Sequence, residues 1–281
     1  MVKKKIKISL LLAYVLTLFA LAFFVFPIFY YVSLSFRYEK DVLNFFPTEY
    51  TLDNYITLLT KGVHEESPYD IFYRPLLNSI IIASTSTLIT IFVTVLAAYA
   101  VDRFRFKGRN GISFFILSLY MTPPIVTLIP LWDIAATLHL IDTHIFLIWC
   151  YTMFGIPLSF WMLRSFVMTV PSILEEAAMV DGCSRFRALI YVTLPLLRPG
   201  IAAASILVFL LNWGEYMFAG TLTSHEAVTI PVAIAKFGFW LTVDWTTMAT
   251  MSAIAMVPIL ILAAFIQKYI VSGLTLGAVR G

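Results

Sequence analysis

Residues 77–101 read LNSIIIASTSTLITIFVTVLAAYAV, an uncharged stretch of apolar and hydroxyl-bearing side chains. A helix needs roughly 20 apolar residues to cross about 30 Å of hydrocarbon, because each residue adds about 1.5 Å along its axis. A helix also satisfies its backbone hydrogen bonds within one segment, as a lipid environment requires. This stretch therefore predicts a transmembrane helix.

The composition of the whole chain agrees with that prediction. Its 281 residues are 60% hydrophobic and 12% charged, and the mean hydropathy is +0.90. Soluble domains average about 45–50% apolar and about 25% charged residues. Two cysteines are too few for a disulfide scaffold, and a net charge of +3 dispersed among apolar runs argues against nucleic-acid binding. The sequence predicts an all-α membrane protein with a single transmembrane domain over residues 1–281.

Six stretches have the length and apolar character of a span, and the segments between them are loops. The predicted spans are about 8–36, 77–101, 112–132, 144–168, 201–222 and 246–267. The first follows a lysine cluster, as a secretory signal peptide does, but its apolar run continues to about Tyr31. That length exceeds the 7–15 residues of a signal-peptide core, which favours a retained span.

Basic residues predict the orientation of the spans. With the amino terminus in the cytoplasm, most of the 19 Lys and Arg residues fall on the inner side, including the cluster Arg103, Arg105, Lys107 and Arg109. The positive-inside rule favours this arrangement. Six spans then place both termini in the cytoplasm and make residues 37–76 and 223–245 outer loops.

The inner loop 169–200 is longer than a connection between two antiparallel helices requires. Ser172 and Glu175 have the spacing of a capping box, in which each side chain bonds the other residue's free backbone N–H. Gly182 suits the left-handed position that follows a helix end. The loop is therefore predicted to contain a short helix that begins near Ser172 and ends before Gly182.

A second short helix is predicted over 185–193. Ser184 can cap it, and the proline of Leu194-Pro195 should end it, because the α conformation is disfavoured before proline. The first helix carries small and apolar side chains suited to the groove of another protein. The alternative is that it lies among the lipid headgroups as an interfacial helix.

This inner loop resembles a family motif. Glu176-Ala177-Ala178, Gly182 four positions after Ala178, and then Val192 and Leu194-Pro195 are similar to the EAA loop of ABC importer membrane subunits. Val192 is the one departure, since the motif has isoleucine there. The resemblance implies a type I ABC importer permease in which this loop couples to an ATP-hydrolysing subunit. The coupling residues it implies are Glu175, Glu176, Ala177, Ala178, Asp181, Gly182, Leu194 and Pro195.

Other segments are similar to the carbohydrate-uptake branch of that family, and within it to the maltose-type second permease. They are Thr51-Leu52-Asp53-Asn54-Tyr55 after the first span, Ala98-Tyr99-Ala100 with the basic segment that follows, and the tail 273–281. The resemblance therefore extends over nearly the whole chain, and it implies transport of a mono- or oligosaccharide across the cell membrane.

The resemblance also implies the partners: a second permease subunit, a pair of ATPase subunits and an extracytoplasmic solute-binding protein. No G-x-x-x-x-G-K-[ST] motif occurs in the sequence, so the chain is predicted to be a non-enzymatic transport subunit. ATP and Mg would bind the partner ATPase, and no cofactor or metal is expected on this chain, whose four histidines lack the spacing of metal ligands.

The fifth span carries the candidate solute path. Glu215 is the acidic residue within a predicted span, and a charge inside a membrane is costly enough to suggest a function. Asn212, Glu215 and Tyr216 have helical spacing, with Trp213 beside them, and such side chains suit a sugar. The alternative is that Glu215 reaches the outer interface or pairs with the partner permease. The segment resembles a Trp-Asn-Glu-Phe stretch of sugar permeases, although its asparagine is displaced to 212.

Two further segments are candidate partner contacts, and two other functions are compatible with parts of the sequence. The outer loop 223–245 contains Trp240 and Trp245 and has the length to contact a solute-binding protein. The tail 268–281 is expected, by resemblance, to lie against the ATPase pair. The same importer class could carry a non-sugar solute. An ion-coupled secondary transporter is disfavoured, because such proteins use several buried ionisable groups.

Overall fold

The computed structural model describes residues 2–63, 67–238 and 243–278, and helices dominate these ranges. No strand occurs within them. The helices, numbered in chain order, are α1 Val2–Leu34, α2 Asp53–Ile56, α3 Arg74–Arg103, α4 Arg109–Tyr120, α5 Pro124–Thr137, α6 His144–Thr169, α7 Ser172–Val180, α8 Arg185–Ala188, α9 Leu194–Trp213, α10 Met217–Leu222, α11 Ile230–Lys236 and α12 Trp245–Ala278.

Short segments of other helical types join or precede some of these helices. A 3₁₀ turn lies at Glu39–Asp41, and π turns lie at Thr57–Lys61, Tyr69–Tyr73 and Leu189–Thr193. The last two run directly into α3 and α9, so each of these helices is part of a longer continuous rod.

Five helices in the described ranges are long and apolar enough to cross a membrane: Leu10–Leu34, Tyr69–Arg103, His144–Thr169, Arg185–Trp213 and Trp245–Phe265. The pair α4 and α5, bent by 91°, makes a sixth if it is counted as one span. The all-helical membrane fold predicted from the sequence is confirmed.

Two of the predicted spans are interrupted. The stretch 112–132 is split because Pro123 is extended and Pro124 begins a new helix, since proline has no N–H to continue the earlier one. The stretch 201–222 is split after Trp213, where Gly214 follows the helix end and α10 begins only at Met217. The prolines of the stretch 112–132 thus open that helix, whereas the stretch 201–222, which was predicted as a single helix, is divided in two.

The chain divides into two compact units. The first contains the chain up to Phe72 together with Ile234–Met256. In it, Leu34, Val42 and Ala249 form a small apolar core, and the hydroxyl of Thr250 donates to the carbonyl of Ser35 at 3.4 Å.

The segment that follows α1 in the first unit is tied to the end of α1 by side chains. The amide of Asn54 donates to the carbonyls of Ser35 and Arg37, at 3.0 and 2.8 Å. The carboxylate of Asp41 accepts from Asn44 and Thr48, at 2.8 and 2.7 Å. These hydrogen bonds lower the pKa of Asp41.

The second unit contains Tyr73–Ala233 and the chain from Val257 onward. In it, α3, α6 and α9 pack pairwise, and α4 lies against α6. Their shared core contains fully buried residues from all three helices, among them Ala98, Phe160 and Val208. Both candidate sites described below belong to this unit.

Candidate functional site

The inner loop folds into two helical segments joined at a glycine. Gly182 has φ +89° and follows α7, and the N–H of Cys183 reaches back to the carbonyl of Ala178 at 3.0 Å. The N–H of Gly182 bonds the carbonyl of Met179 at 3.1 Å. This pair of bonds is a Schellman motif, which needs a left-handed residue at the glycine position. The predicted left-handed conformation of Gly182 after the helix end is confirmed.

The second helical segment begins as predicted but does not end where predicted. The Ser184 hydroxyl accepts from the N–H of Arg187 and caps α8. The chain then continues through the π turn 189–193 into α9 without a break. Pro195 is near the start of α9, directly after the π turn, whose wider winding accommodates a residue without an N–H. The predicted helix end near Leu194-Pro195 is therefore wrong, because α8 runs without a break into α9.

The predicted capping box is also wrong. Pro171, rather than Ser172, precedes the first residue of α7, and no side chain caps this end. The Glu175 side chain turns inward instead and is only 2% exposed. Its carboxylate accepts three hydrogen bonds: from the Tyr99 hydroxyl at 2.9 Å, from Nε of Arg103 at 2.8 Å and from the Thr193 hydroxyl at 2.7 Å. A buried carboxylate needs such donors, and here they come from residues distant in sequence.

The pKa of Glu175 is held below its usual value by these partners. Burial alone would raise this pKa, but the hydrogen bonds from Arg103, Thr193 and Tyr99 and the charge of Arg103 outweigh burial. Glu175 is therefore ionised at neutral pH.

The other implied coupling residues lie on the surface or at its edge. Glu176, Ala177, Asp181 and Gly182 are exposed, and Ala178 is half-buried. Apolar side chains of α7 are also exposed, with Ile173 63% and Val180 86% accessible. Leu194 and Pro195 are half-buried at the start of α9. The structure thus brings a compact, partly apolar surface together around Gly182 and separates Glu175 from it.

A cavity of about 460 Å³ lies between α4, α5, α6, α9 and α10. Four aromatic rings line it, together with two of the four predicted path residues, Asn212 and Glu215. The rings are those of Tyr120, Tyr151, Phe154 and Phe218. Trp213 is instead buried and stacks against Phe209, while Tyr216 is 45% exposed and lies over Gly220.

Glu215 is not within a helix, in contrast to the sequence prediction. It lies in the break between α9 and α10, and its carboxylate accepts from the N–H groups of Phe218 at 2.8 Å and Ala219 at 3.1 Å. The Tyr151 hydroxyl donates to the same carboxylate at 2.8 Å. Because a helix amino terminus favours negative charge, these contacts stabilise the carboxylate at the wall of the cavity.

Asn212 joins two helices at the cavity wall. It is buried, and its amide nitrogen donates to the hydroxyls of Ser86 at 2.9 Å and Thr87 at 3.4 Å. The Thr90 hydroxyl also donates to the carbonyl of Thr152 in α6 at 3.4 Å, so α3 is joined to α6 as well as to α9.

A further carboxylate site, at Asp142, was not predicted from the sequence. Asp142 has φ +59°, and its carboxylate accepts the backbone N–H groups of residues 224–227 at 2.9–3.1 Å. Burial raises its pKa, but these four donors lower it more, to about 2. The donors follow Asp142 by more than 80 residues, so no local spacing signals the contact. It fixes the start of the loop 223–245; Trp240 of that loop lies outside the described residues.

Within the ranges that the structure describes, no group of three or more His, Cys, Asp or Glu side chains is arranged to hold a metal ion.

The chain is a multi-pass helical permease of the cytoplasmic membrane, as its apolar helices and folded inner loop indicate. More specifically, it belongs to the family of binding-protein-dependent transport system inner membrane components, whose family model matches residues 90–276. This confirms the resemblance inferred from the EAA-like loop. The chain is therefore a transport component.

Relatives extend the similarity over most of the chain. The trehalose/maltose transport system permease protein of Thermococcus litoralis is 40% identical over 260 residues, which cover 91% of each chain. The trehalose transport system permease protein of Mycobacterium tuberculosis is 35% identical, and the diacetylchitobiose uptake system permease protein of Streptomyces coelicolor is 31% identical. The match to the Mycobacterium protein covers 91% of this chain and 92% of the relative, and the match to the Streptomyces protein covers 92% of each chain.

A solved structure shows the same fold. One chain of a bacterial ABC transporter involved in the import of the acidic polysaccharide alginate superposes with a TM-score of 0.76 at 23% identity. The match covers 93% of this chain and 95% of the other. At this identity the comparison establishes the type I importer permease fold and nothing about the solute.

Proposed function

We propose that the chain is the membrane-spanning permease subunit of an ATP-driven ABC importer that translocates a mono- or oligosaccharide. An extracytoplasmic binding protein delivers the solute, and the permease works with a second permease subunit and a pair of ATPase subunits that bind ATP and Mg. The observation that carries the proposal is the 40% identity to a trehalose/maltose permease over 91% of both chains. The relatives that transport trehalose and diacetylchitobiose support the same class of solute.

We expect the ATPase subunits to act on this permease through the inner loop. Exposed apolar side chains on α7, with Glu176 and Asp181 beside them, form a surface suited to a groove of the ATPase. The Schellman turn at Gly182 joins this surface to α8, which is continuous with α9. Closure of the ATPase pair on ATP would displace α7, and α8–α9 would carry that displacement into the membrane as a hinge or shear motion.

The cavity is the proposed solute path on this subunit. Its volume lies within the range of roughly 300–1,000 Å³ typical of small-molecule sites. Aromatic rings can stack on the C–H faces of a sugar, while the Asn212 carbonyl and the Glu215 carboxylate can accept from its hydroxyls. Trp213 and Tyr216 do not line the cavity, so we assign them no contact with the solute.

Uptake by the assembled importer tests this function. The four subunit types are reconstituted in proteoliposomes, and radiolabelled trehalose, maltose, diacetylchitobiose, a polyamine and phosphate are offered with and without internal ATP. We expect ATP-dependent uptake of at least one of the sugars. Uptake of only the polyamine or phosphate would point to the same importer class with another solute. Uptake driven by a proton gradient without ATP would refute the ATP-driven function.

The coupling role has its own test in Gly182. Alanine there would keep φ +89° only at a cost of about 1–2 kcal/mol, although its Cβ meets no atom within 4 Å. We expect Gly182→Ala to lower sugar uptake several-fold and Gly182→Asn to lower it less, because asparagine tolerates the left-handed region. Gly111→Ala is the control: Gly111 lies within α4, has no positive φ and also has open space around it. Unchanged uptake in Gly182→Ala would contradict the role.

A further inference from the structure

A buried carboxylate is a main attachment of α7 to the rest of its unit, beside the half-buried side chains of Ala178 and Met179. Glu175 is the buried residue of this nine-residue helix. The apolar side chains that would ordinarily hold an amphipathic helix are exposed: Ile173, Leu174 and Val180 are 63%, 43% and 86% accessible. The position of α7 on this subunit therefore depends on what Glu175 contacts.

Those contacts come from two different membrane rods. Tyr99 and Arg103 belong to the inner end of α3, and Thr193 belongs to the π turn that leads into α9. The Glu175 Oε1 atom accepts from Nε of Arg103 and from the hydroxyl of Thr193, while Oε2 accepts from the hydroxyl of Tyr99. Both oxygens are thus engaged, and a shift of α7 along or around its axis would lengthen at least one of these bonds.

Arg103 extends the network to a third rod. Its second terminal nitrogen donates to the carbonyls of Val170 at 2.7 Å and Val167 at 3.3 Å, at the end of α6. Arg103 also pairs with the neighbouring Asp102. Arg103 and Glu175 have side chains that are only 8% and 3% exposed, so water does not screen the pair. One buried network therefore joins α7 to the inner ends of α3, α6 and α9.

Such a network resists partial disruption. If one member of a buried, hydrogen-bonded ion pair is removed, the other charge is left without its counter-charge, and this costs far more than an exposed pair contributes. Thr193 and Tyr99 are also buried, at 0% and 4% exposure, so their hydroxyls would lose a charged acceptor. The links are short, directional and mutually dependent, which makes α7 move together with the three rods.

We propose that Glu175 is a positioning residue that fixes the coupling helix to α3, α6 and α9, so that displacement of α7 is transmitted to all three membrane helices at once. This inference rests on the proposed function of the chain in an ATP-driven importer. Glu175 itself contacts neither solute nor ATP in this scheme. Its loss leaves α7 attached to the membrane helices mainly through the chain itself, so less of its displacement reaches them and less solute is transported per ATP hydrolysed.

The test is the ratio of sugar uptake to ATP hydrolysis in the reconstituted importer. Glu175→Gln keeps the shape of the side chain and removes its charge, and we expect the uptake-to-ATP ratio to fall about tenfold while ATPase subunits still co-purify. Glu175→Asp should recover part of the ratio, because it restores the charge. Glu39→Gln is the matched control. It makes the same change at an exposed position that is distant in sequence from Glu175, and it should leave the ratio unchanged.

Milder variants keep the inference testable if Glu175→Gln fails to assemble. Tyr99→Phe and Thr193→Val each remove one of the three donors and should lower the ratio two- to threefold. A purely structural role would lower uptake and hydrolysis together, in proportion to the assembled complex, and leave the ratio unchanged; that result would overturn the inference. Absence of ATP-driven uptake in the unmodified importer would instead overturn the proposed function, so the two failures are distinguishable.

Discussion

At the scale of single residues, two carboxylates organise the two ends of the second unit. The Glu175 carboxylate accepts hydrogen bonds from side chains at the ends of the helices near α7. The Asp142 carboxylate accepts them from backbone N–H groups of the loop that begins at residue 223. Asp142 can do this because aspartate tolerates the left-handed conformation, with φ +59° here. Four N–H groups that a turn would otherwise leave to solvent are satisfied by one side chain.

Replacement of Asp142 by asparagine should release this turn. Asparagine keeps one acceptor oxygen but brings an NH₂ group against backbone donors, so we expect the free energy of unfolding to fall by about 1–2 kcal/mol at neutral pH. Thermal unfolding of the purified importer measures the change. Asp53→Asn, which removes the same charge at an exposed site, is the control.

The same pair of proteins tests the lowered pKa of Asp142. Its pKa is about 2 in the fold and 3.8 ordinarily, so its contribution to stability is complete above pH 3.8 and is lost as the pH falls through about 2. The difference in melting temperature between the native chain and Asp142→Asn should therefore shrink between pH 5 and pH 2. A constant difference over this range would show that the carboxylate charge does not hold the turn.

At the scale of helices, hydropathy locates elements better than it finds their ends. The runs that contain α3 and α6 were predicted to within a few residues, because nothing in them interrupts the helix. Pro123-Pro124 and Gly214 break two other runs, yet the apolar composition continues across both breaks. The hydropathy averaged over a window therefore does not change at these breaks. For this reason Glu215 was assigned to a helix that, in the structure, ends before it.

In the candidate sites, too, the roles that depend on neighbouring residues were predicted, whereas those that depend on residues distant in sequence were not. Gly182 and Ser184 act within a few residues of themselves, and the sequence was sufficient to predict both roles. Glu175 was misassigned because its local spacing suits a capping box, whereas its partner in α3 lies more than 70 residues away. A charged partner in the buried interior outweighs a local cap, and only the fold supplies that partner.

The packing of α6 against α9 leads to a prediction about Gly200. A Cβ atom there would overlap the Phe166 ring, so Gly200→Ala should displace the ring and cost about 1–3 kcal/mol. The melting temperature of the importer measures this cost. Phe166→Leu in the same chain should recover part of it. Gly111→Ala, where no atom lies within 4 Å, should be neutral or slightly stabilising, because alanine favours a helix. Equal effects of the two alanines would contradict the proposed clash.

At the scale of the whole molecule, the helices establish how many spans are available but not which side of the membrane each loop faces. Five long helices and one bent pair allow a six-span arrangement. The asymmetry of Lys and Arg then favours an inner location for the loop that contains α7 and α8. This sidedness is necessary for the proposed function, because an ATPase can reach the loop only from the cytoplasm.

Thiol labelling tests the orientation directly. Cys183→Ser removes the half-buried cysteine, and the buried Cys150 stays as an internal control that a reagent should not reach. In this background, Leu43→Cys adds a thiol to the predicted outer segment, where Leu43 is 93% exposed, and Asn110→Cys adds one to the predicted inner connection without removing a basic residue. A membrane-impermeant maleimide should label position 43 in intact spheroplasts and position 110 only in inverted vesicles. The opposite pattern would place the EAA-like loop outside the cell, and the proposed coupling to an ATPase would then be impossible.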